Sequence, residues 1–166
     1  MLLIRPAGPS DAPAIAAIII PVIREGATYA LDPGTGEEDA LTYWMGDDRR
    51  CFVAEEDGTI LGTYYLRANQ AGGGDHVCNC GYMTAPQARG RGVARAMCAH
   101  SIEQGRQAGF RAMQFNFVVA SNLRAVHLWQ AMGFAIVGRL PGAFRQPDGA
   151  YVDALVMHRS LLDEAG

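Results

Sequence analysis

The sequence predicts a mixed α/β fold in which a central sheet carries helices on its faces. Three observations predict it. Runs of strand character and segments of helical period interleave along the chain, an Asp57-Gly58 pair joins two β-rich runs, and each of the two later helical stripes lies between strands. A length of 166 residues is the usual size of a single domain, so residues 1–166 are expected to form one.

Leu2 to Pro6 reads as a first strand. Ser10-Asp11-Ala12-Pro13 follows it, a capping side chain and an early proline that mark a helix start, and the helix is expected to run to about Arg24. Residues 26–36 contain Pro33 and several glycines and read as a loop. Glu37-Glu38-Asp39 then places acids in the first turn of a second helix through Met45, favourable to the helix dipole. Cys51 to Glu55 and Thr59 to Arg67 are the two runs of the hairpin. Gly72-Gly73-Gly74 leads to a fourth strand, Val77 to Thr84, which Pro86 prevents from continuing.

From Gly90 to about Ala108, Val93, Ala94, Met97, Cys98, Ser101 and Ile102 recur at three- to four-residue spacing, which predicts an amphipathic helix stopped by Gly109. Ala112 to Val119 is a fifth strand. Ser121-Asn122 then caps a helix whose stripe is Ala125, Leu128, Trp129 and Met132, with Gly133 as a left-handed stop. Phe134 to Leu140 and Tyr151 to His158 supply the last two strands around a Pro/Gly loop.

Composition narrows the function. A formal net charge of -3 argues against nucleic-acid binding through a global positive field, because neutralising phosphates requires a basic surplus. The most apolar run, Ala14 to Ile23, is interrupted by Pro21 and too short to span a bilayer, and no basic and apolar leader precedes it, so no membrane partner and a cytoplasmic location are expected. Cys51, Cys78, Cys80 and Cys98 lack paired metal-site spacing and read as packing residues in a reducing compartment. His76 with Cys78 and Cys80 suits tetrahedral zinc poorly, so no metal is expected.

A strand that ends at Ala85-Pro86 and turns through Gln87-Ala88-Arg89-Gly90-Arg91-Gly92 into a helix presents unpaired amides at the helix start, an anion site. Gly90 and Gly92 let a diphosphate approach the main chain, and Arg89, Arg91 and Arg95 add charge. Charge-assisted hydrogen bonds contribute about 1.5 to 3 kcal/mol each, so a few amides hold a pyrophosphate on a protein that is acidic overall. No Gly-Lys-Ser/Thr follows, which excludes a P-loop. Arg95 stands where a dinucleotide fingerprint needs Gly or Ala, and Phe110 to Phe115 contains no acid, which excludes that fold's motif as well.

Gln87-x-x-Gly90-x-Gly92 followed by Val93-Ala94 resembles the acyl-CoA signature of the GNAT superfamily of N-acetyltransferases. Asn122-x-x-Ala125-x-x-Leu128-Trp129-x-x-Met132-Gly133-Phe134 is similar to that superfamily's next helix and strand. The resemblance spans nearly the whole chain. It implies a mostly antiparallel sheet of about seven strands that splays between strands four and five, with acetyl-CoA in the gap. The main chain of Tyr82, Met83 and Thr84 would then line the pantetheine arm, and the amides of Gln87, Ala88, Arg89, Gly90, Arg91, Gly92, Val93 and Ala94 would take the pyrophosphate. Arg95, Asn122 and Trp129 would flank the cofactor. A homodimer is implied by the resemblance alone.

Acyl transfer from a thioester to an amine needs a neutral amine, a polarised carbonyl and a proton for the leaving thiolate. An amide near Met83 or Thr84 is expected to polarise the carbonyl, as in the family. The proton donor departs from the family pattern, because Trp129 stands where many members have tyrosine and an indole is no general acid. His127, Ser121 or a water is left for that role, or the thiolate departs unprotonated, since thiols ionise near pH 8.5. The fourth strand also lacks the family's carboxylate base, which leaves His76 just before it and Glu25 at the first helix as candidates.

Ile23-Arg24-Glu25-Gly26-Ala27-Thr28-Tyr29 and the closing Tyr151-Val152-Asp153 strand resemble members that acetylate small amino-acid-like compounds, phosphinothricin-type molecules among them. Direct ternary-complex transfer to a primary amine of a small molecule is therefore the expected reaction. A CoA-binding module without turnover and a protein N-acetyltransferase are the alternatives.

Overall fold

A computed structural model describes residues 1–163. The chain runs β1 (Leu3–Pro6), α1 (Ala12–Glu25), α2 (Glu37–Met45), β2 (Arg50–Glu56), β3 (Thr59–Ala68), β4 (Val77–Thr84), α3 (Val93–Gln107), β5 (Ala112–Val119), α4 (Leu123–Ala131), β6 (Ala135–Arg145) and β7 (Tyr151–Ser160). The seven strands form one sheet in the order β1-β2-β3-β4-β5-β7-β6. Every pairing is antiparallel except β4 with β5. This is the predicted mixed, mostly antiparallel sheet.

Local chemistry explains most of the elements. Asp57 and Gly58 both adopt left-handed φ, +50° and +76°, the two-residue turn that matches the twist of the β2–β3 hairpin. Tyr64, Cys78 and Tyr82 turn toward α3, and Tyr82 also meets Trp129 of α4. On the opposite face Thr63 and Tyr65 meet α2, where the buried Trp44 Nε1 donates to Thr63 Oγ1 at 3.0 Å. Pro21 lies inside α1 on its exposed side, so the carbonyl it deprives of a partner, that of exposed Ala17, turns to water. No helix among the described residues is long and apolar enough to cross a membrane.

One expected cap and two expected boundaries differ. Asp11 does not cap α1 with its side chain; its carboxylate accepts instead from the Gly8 amide at 2.8 Å and from Arg5 at 2.8 and 3.0 Å. α3 begins at Val93 rather than Gly90, because Gly90 and Gly92 take φ of +77° and +79° and cannot belong to a right-handed helix. β6 extends to Arg145 rather than Leu140, since Pro141 and Gly142 are absorbed in an irregularity between Leu140 and Phe144 on an edge strand, where proline costs no ladder bond.

The feature that makes a site is the parting of β4 and β5. They pair only at Val77 with Ala112 and Cys78 with Met113, and Asn79 Nδ2 then bridges to the Gln114 carbonyl at 2.9 Å. Beyond that the strands diverge, and β5 carries an irregularity between Phe115 and Val118.

Candidate active site

A cleft of about 570 Å³ fills the gap between β4 and β5. Its outer half is bordered by the turn into α3 and the start of α4. Its inner half is bordered by residues 28–31, Tyr43, Tyr65 and Arg67.

Strand register determines which main-chain groups face the cleft. The Ala85 amide donates to the Leu61 carbonyl at 2.8 Å and the Asn69 amide to the Val77 carbonyl at 2.8 Å, so odd-numbered residues of β4 bond to β3. The main-chain groups of Tyr82 and Thr84 therefore face the opposite way, where β5 has departed. Of the two amides expected to polarise a carbonyl, Met83's turns to β3 and Thr84's faces the cleft. The Tyr82 amide, which sequence reasoning passed over for this role, also faces the cleft and donates to the Tyr29 hydroxyl at 2.8 Å.

The turn into α3 leaves fewer amides open than the motif suggested. Ala88, Arg89 and Arg91 donate to the carbonyls of Ala85, Pro86 and Ala88. Val93, Ala94 and Arg95 are the first helical residues and have no intrahelical acceptor. Gly90 and Gly92 have open space where a Cβ would stand. The helix dipole adds its positive end to these groups. Arg89 and Arg95 border the cleft, while Arg91 turns away to pair with Glu56 on the hairpin.

Most of the expected cofactor residues lie together. Tyr82, Met83, Thr84, Ala88, Arg89, Gly90, Gly92, Val93, Ala94, Arg95, Asn122 and Trp129 border the cleft; the Gln87 and Arg91 side chains do not. Asn122 Oδ1 accepts from the Ala125 amide at 3.3 Å and caps α4, which leaves its Nδ2 as the group to offer a ligand. The Trp129 ring packs 4.9 Å from Tyr82 and 5.0 Å from Phe115 and walls the cleft.

The catalytic candidates are placed differently. Glu25 ends α1, His76 precedes the joined end of β4 and β5, and His127 sits on α4; all three are exposed and none borders the cleft. Arg67, Asn79 and Arg124 border it without any spacing signal having marked them, and Cys80, weighed in the sequence only with the other cysteines, borders it too. Burial pushes the Cys78 thiol up to about 12 and raises the Cys80 thiol as well, which removes both as ready nucleophiles.

A cleft along an unpaired strand edge, ending at amides on a helix start, fits a ligand that is extended and amide-bearing at one end and doubly anionic at the other. Coenzyme A has that chemistry, and bound there as acetyl-CoA it supplies an activated thioester. These features suit a donor site for an acyl-CoA thioester.

The comparisons with known proteins agree. The chain belongs to the acetyltransferase (GNAT) family, whose model matches residues 23–134. The structure of a GCN5-related N-acetyltransferase from Kribbella flavida is 44% identical, with a TM-score of 0.91 over 96% of this chain and 97% of that one. A GNAT superfamily phosphinothricin acetyltransferase from Sinorhizobium meliloti, solved in complex with acetyl-CoA, shares the fold at 20% identity, with a TM-score of 0.84 over 96% of this chain and 88% of that one. The N-acetyltransferase aca1 of Schizosaccharomyces pombe is 30% identical over 110 residues, 64% of this chain and 53% of that protein. The chain thus spans about half the length of that curated relative.

Proposed function

We propose that residues 1–166 act as one domain that transfers the acetyl group of acetyl-CoA directly to the primary amine of a small, amino-acid-like molecule. The observation that carries this reading is the inner half of the cleft. Tyr29, Tyr43 and Tyr65 confine it, which favours a small acceptor over a folded protein surface. Arg67 borders it with a buried Nε that has no hydrogen-bond partner among the described residues, and its ion pair with exposed Asp48 is long at 3.7 Å. The guanidinium of Arg49 lies 4.7 Å from the ring centres of both Tyr43 and Tyr65; its Nε pairs with Asp48 at 3.0 Å, while its buried Nη1 has no hydrogen-bond partner among those residues. Among the described residues Asp48 alone faces both cations, at 3.0 Å from Arg49 and 3.7 Å from Arg67, so the two together exceed it by one positive charge, and a carboxylate on the acceptor balances the Arg67 side.

Within that arrangement the chain's own groups have separate tasks. The helix-start amides and Arg89 and Arg95 hold the pyrophosphate. The outward edge of β4 aligns the arm and offers an amide to the thioester carbonyl. Arg67 orients the acceptor through its acid group, so that its amine points along the cleft toward β4. The acceptor enters as the neutral amine; as its nitrogen bonds to the acetyl carbon and the C–S bond breaks, the proton it loses passes through water to the leaving thiolate, so CoA departs as the thiol and no acidic side chain in the cleft is required.

The test is an acceptor screen that follows CoA release. Amines bearing a carboxylate are expected to support turnover, and Arg67→Gln is expected to raise their KM at least tenfold while leaving the Kd for CoA unchanged. Turnover confined to peptides, seen as acetylated lysines or N-termini by mass spectrometry, would replace this reading with protein acetylation. Equal KM values in wild type and Arg67→Gln would remove the carboxylate from the acceptor.

A further inference from the structure

Once β5 leaves, the outward edge of β4 has no strand beside it, and at Tyr82 a side chain does a strand's work. The Tyr29 hydroxyl accepts from the Tyr82 amide at 2.8 Å and donates to the Tyr82 carbonyl at 2.8 Å. One oxygen, reaching across 53 positions of sequence, thereby satisfies both main-chain groups of a single residue. A hydroxyl can do this because it is donor and acceptor together. Burial raises the Tyr29 phenol far above its ordinary value, so it keeps the proton that the carbonyl bond requires.

The contact is held from outside as well. The Tyr29 ring meets Trp44 edge-on at 6.2 Å, and Arg24 Nη1 donates to the Thr35 carbonyl at 2.6 Å, pinning the far end of the same loop. Tyr29 also borders the cleft at the junction of its two halves. The outer half ends at Thr84 and Tyr82. The inner half begins at Tyr29, Leu31 and Tyr65.

We infer that Tyr29 is a positioning residue for the acetyl end of the donor: its hydroxyl occupies the Tyr82 amide in the free protein and yields that amide to the thioester carbonyl. The inference rests on the reading that the donor's arm follows the β4 edge. Two oxygens cannot share one amide at 2.8 Å, so a carbonyl seated on Tyr82 displaces Tyr29 toward the acceptor half. Until then the hydroxyl keeps the Tyr82 amide aimed into the cleft and shielded from water. The arrangement makes the site sensitive to whether the thiol carries an acyl group, because free CoA brings no carbonyl to Tyr82 and leaves Tyr29 in place.

Tyr29→Phe tests this by removing one oxygen while keeping the ring on Trp44. Titration calorimetry of both proteins with CoA and with acetyl-CoA gives two affinity ratios. Relative to CoA, the variant is expected to bind acetyl-CoA about fivefold more tightly than wild type does, because it has no hydroxyl to displace; this corresponds to one net hydrogen bond of about 1 kcal/mol. Identical ratios in the two proteins, or a ratio that moves the other way, would overturn the inference. Failure of wild type to bind either ligand would overturn the inference and the donor site together, a different result from unchanged ratios. A second readout uses 3-fluorotyrosine at position 29 followed by fluorine NMR. Its resonance is expected to shift on adding acetyl-CoA and to stay on adding CoA, and equal shifts with both would count against displacement.

Discussion

Gly81→Ala places one methyl group against a confined ring in the inner half of the cleft. A Cβ at Gly81 would stand 2.7 Å from Tyr65 Cε1, 2.9 Å from Cζ and 3.0 Å from the hydroxyl. Tyr65 has nowhere to go: it is 4% exposed, lies 4.9 Å from Trp44 and 6.1 Å from Tyr43 between ring centres, and carries the Arg49 guanidinium at 4.7 Å. Overpacking of a rigid neighbour costs about 2 to 3 kcal/mol. Alanine returns about 0.5 to 1 kcal/mol by removing a flexible glycine from a strand interior. The steric effect wins, for a net loss of about 1 to 2 kcal/mol, or a fall in Tm of about 2 to 8 °C for a chain of this size. Thermal unfolding by calorimetry measures it. In a Tyr65→Leu background the same substitution should cost less, since the contact is gone. A Tm that is unchanged or raised by Gly81→Ala in the wild-type background would show that Tyr65 yields freely, and the account of a caged ring would fail.

Gly92→Val tests the anion cradle: no atom crowds the position, so the cost is the left-handed φ of +79°, about 1 to 2 kcal/mol, and the screening of the amides behind the new side chain. The folded state should survive while the Kd for CoA, followed by calorimetry, rises tenfold or more; unchanged affinity would remove the turn from the donor site. Asp11 supplies a pH test. The Arg5 guanidinium, with help from the Gly8 amide, lowers its carboxyl to about 2. A lowered folded value means that the stabilisation is present above the ordinary carboxylate range, near pH 4, and disappears as pH falls through about 2. Asp11→Asn should therefore cost about 1 to 2 kcal/mol at pH 7, less than full linkage because Arg5 is partly solvated, and the gap between the two proteins should close between about pH 4 and pH 2. A gap that persists at pH 2 in denaturant titrations would assign the cost to packing instead.

The sequence by itself determined the features that depend on a few neighbouring dihedrals and caps. Asp57-Gly58 can make only a tight reversal, Asn122 caps whatever helix follows it, and Gly90 and Gly92 impose a turn before Val93 with open amides. The donor half of the site is of this kind, since a strand, two left-handed glycines and a helix start lie consecutively in the chain. That is why the two motifs made the family legible. Even there, the number of open amides was a matter of three-dimensional turns: Ala88, Arg89 and Arg91 close bonds on their own segment, and Arg91 leaves for Glu56.

The acceptor half was decided by the tertiary structure. Glu25, His76 and His127 have suitable chemistry by residue type, but each falls on an exposed surface outside the cleft, which no spacing could reveal. Arg67 and Arg49 became notable only when packing left guanidinium nitrogens buried without partners. The direction of the β4 amides follows from the Leu61–Ala85 and Asn69–Val77 bonds to β3, and the contact of Tyr29 with Tyr82 exists because β5 departs after Cys78. Local sequence sets the turns and caps of the outer half of the cleft, whereas register and long-range packing choose which groups face its inner half.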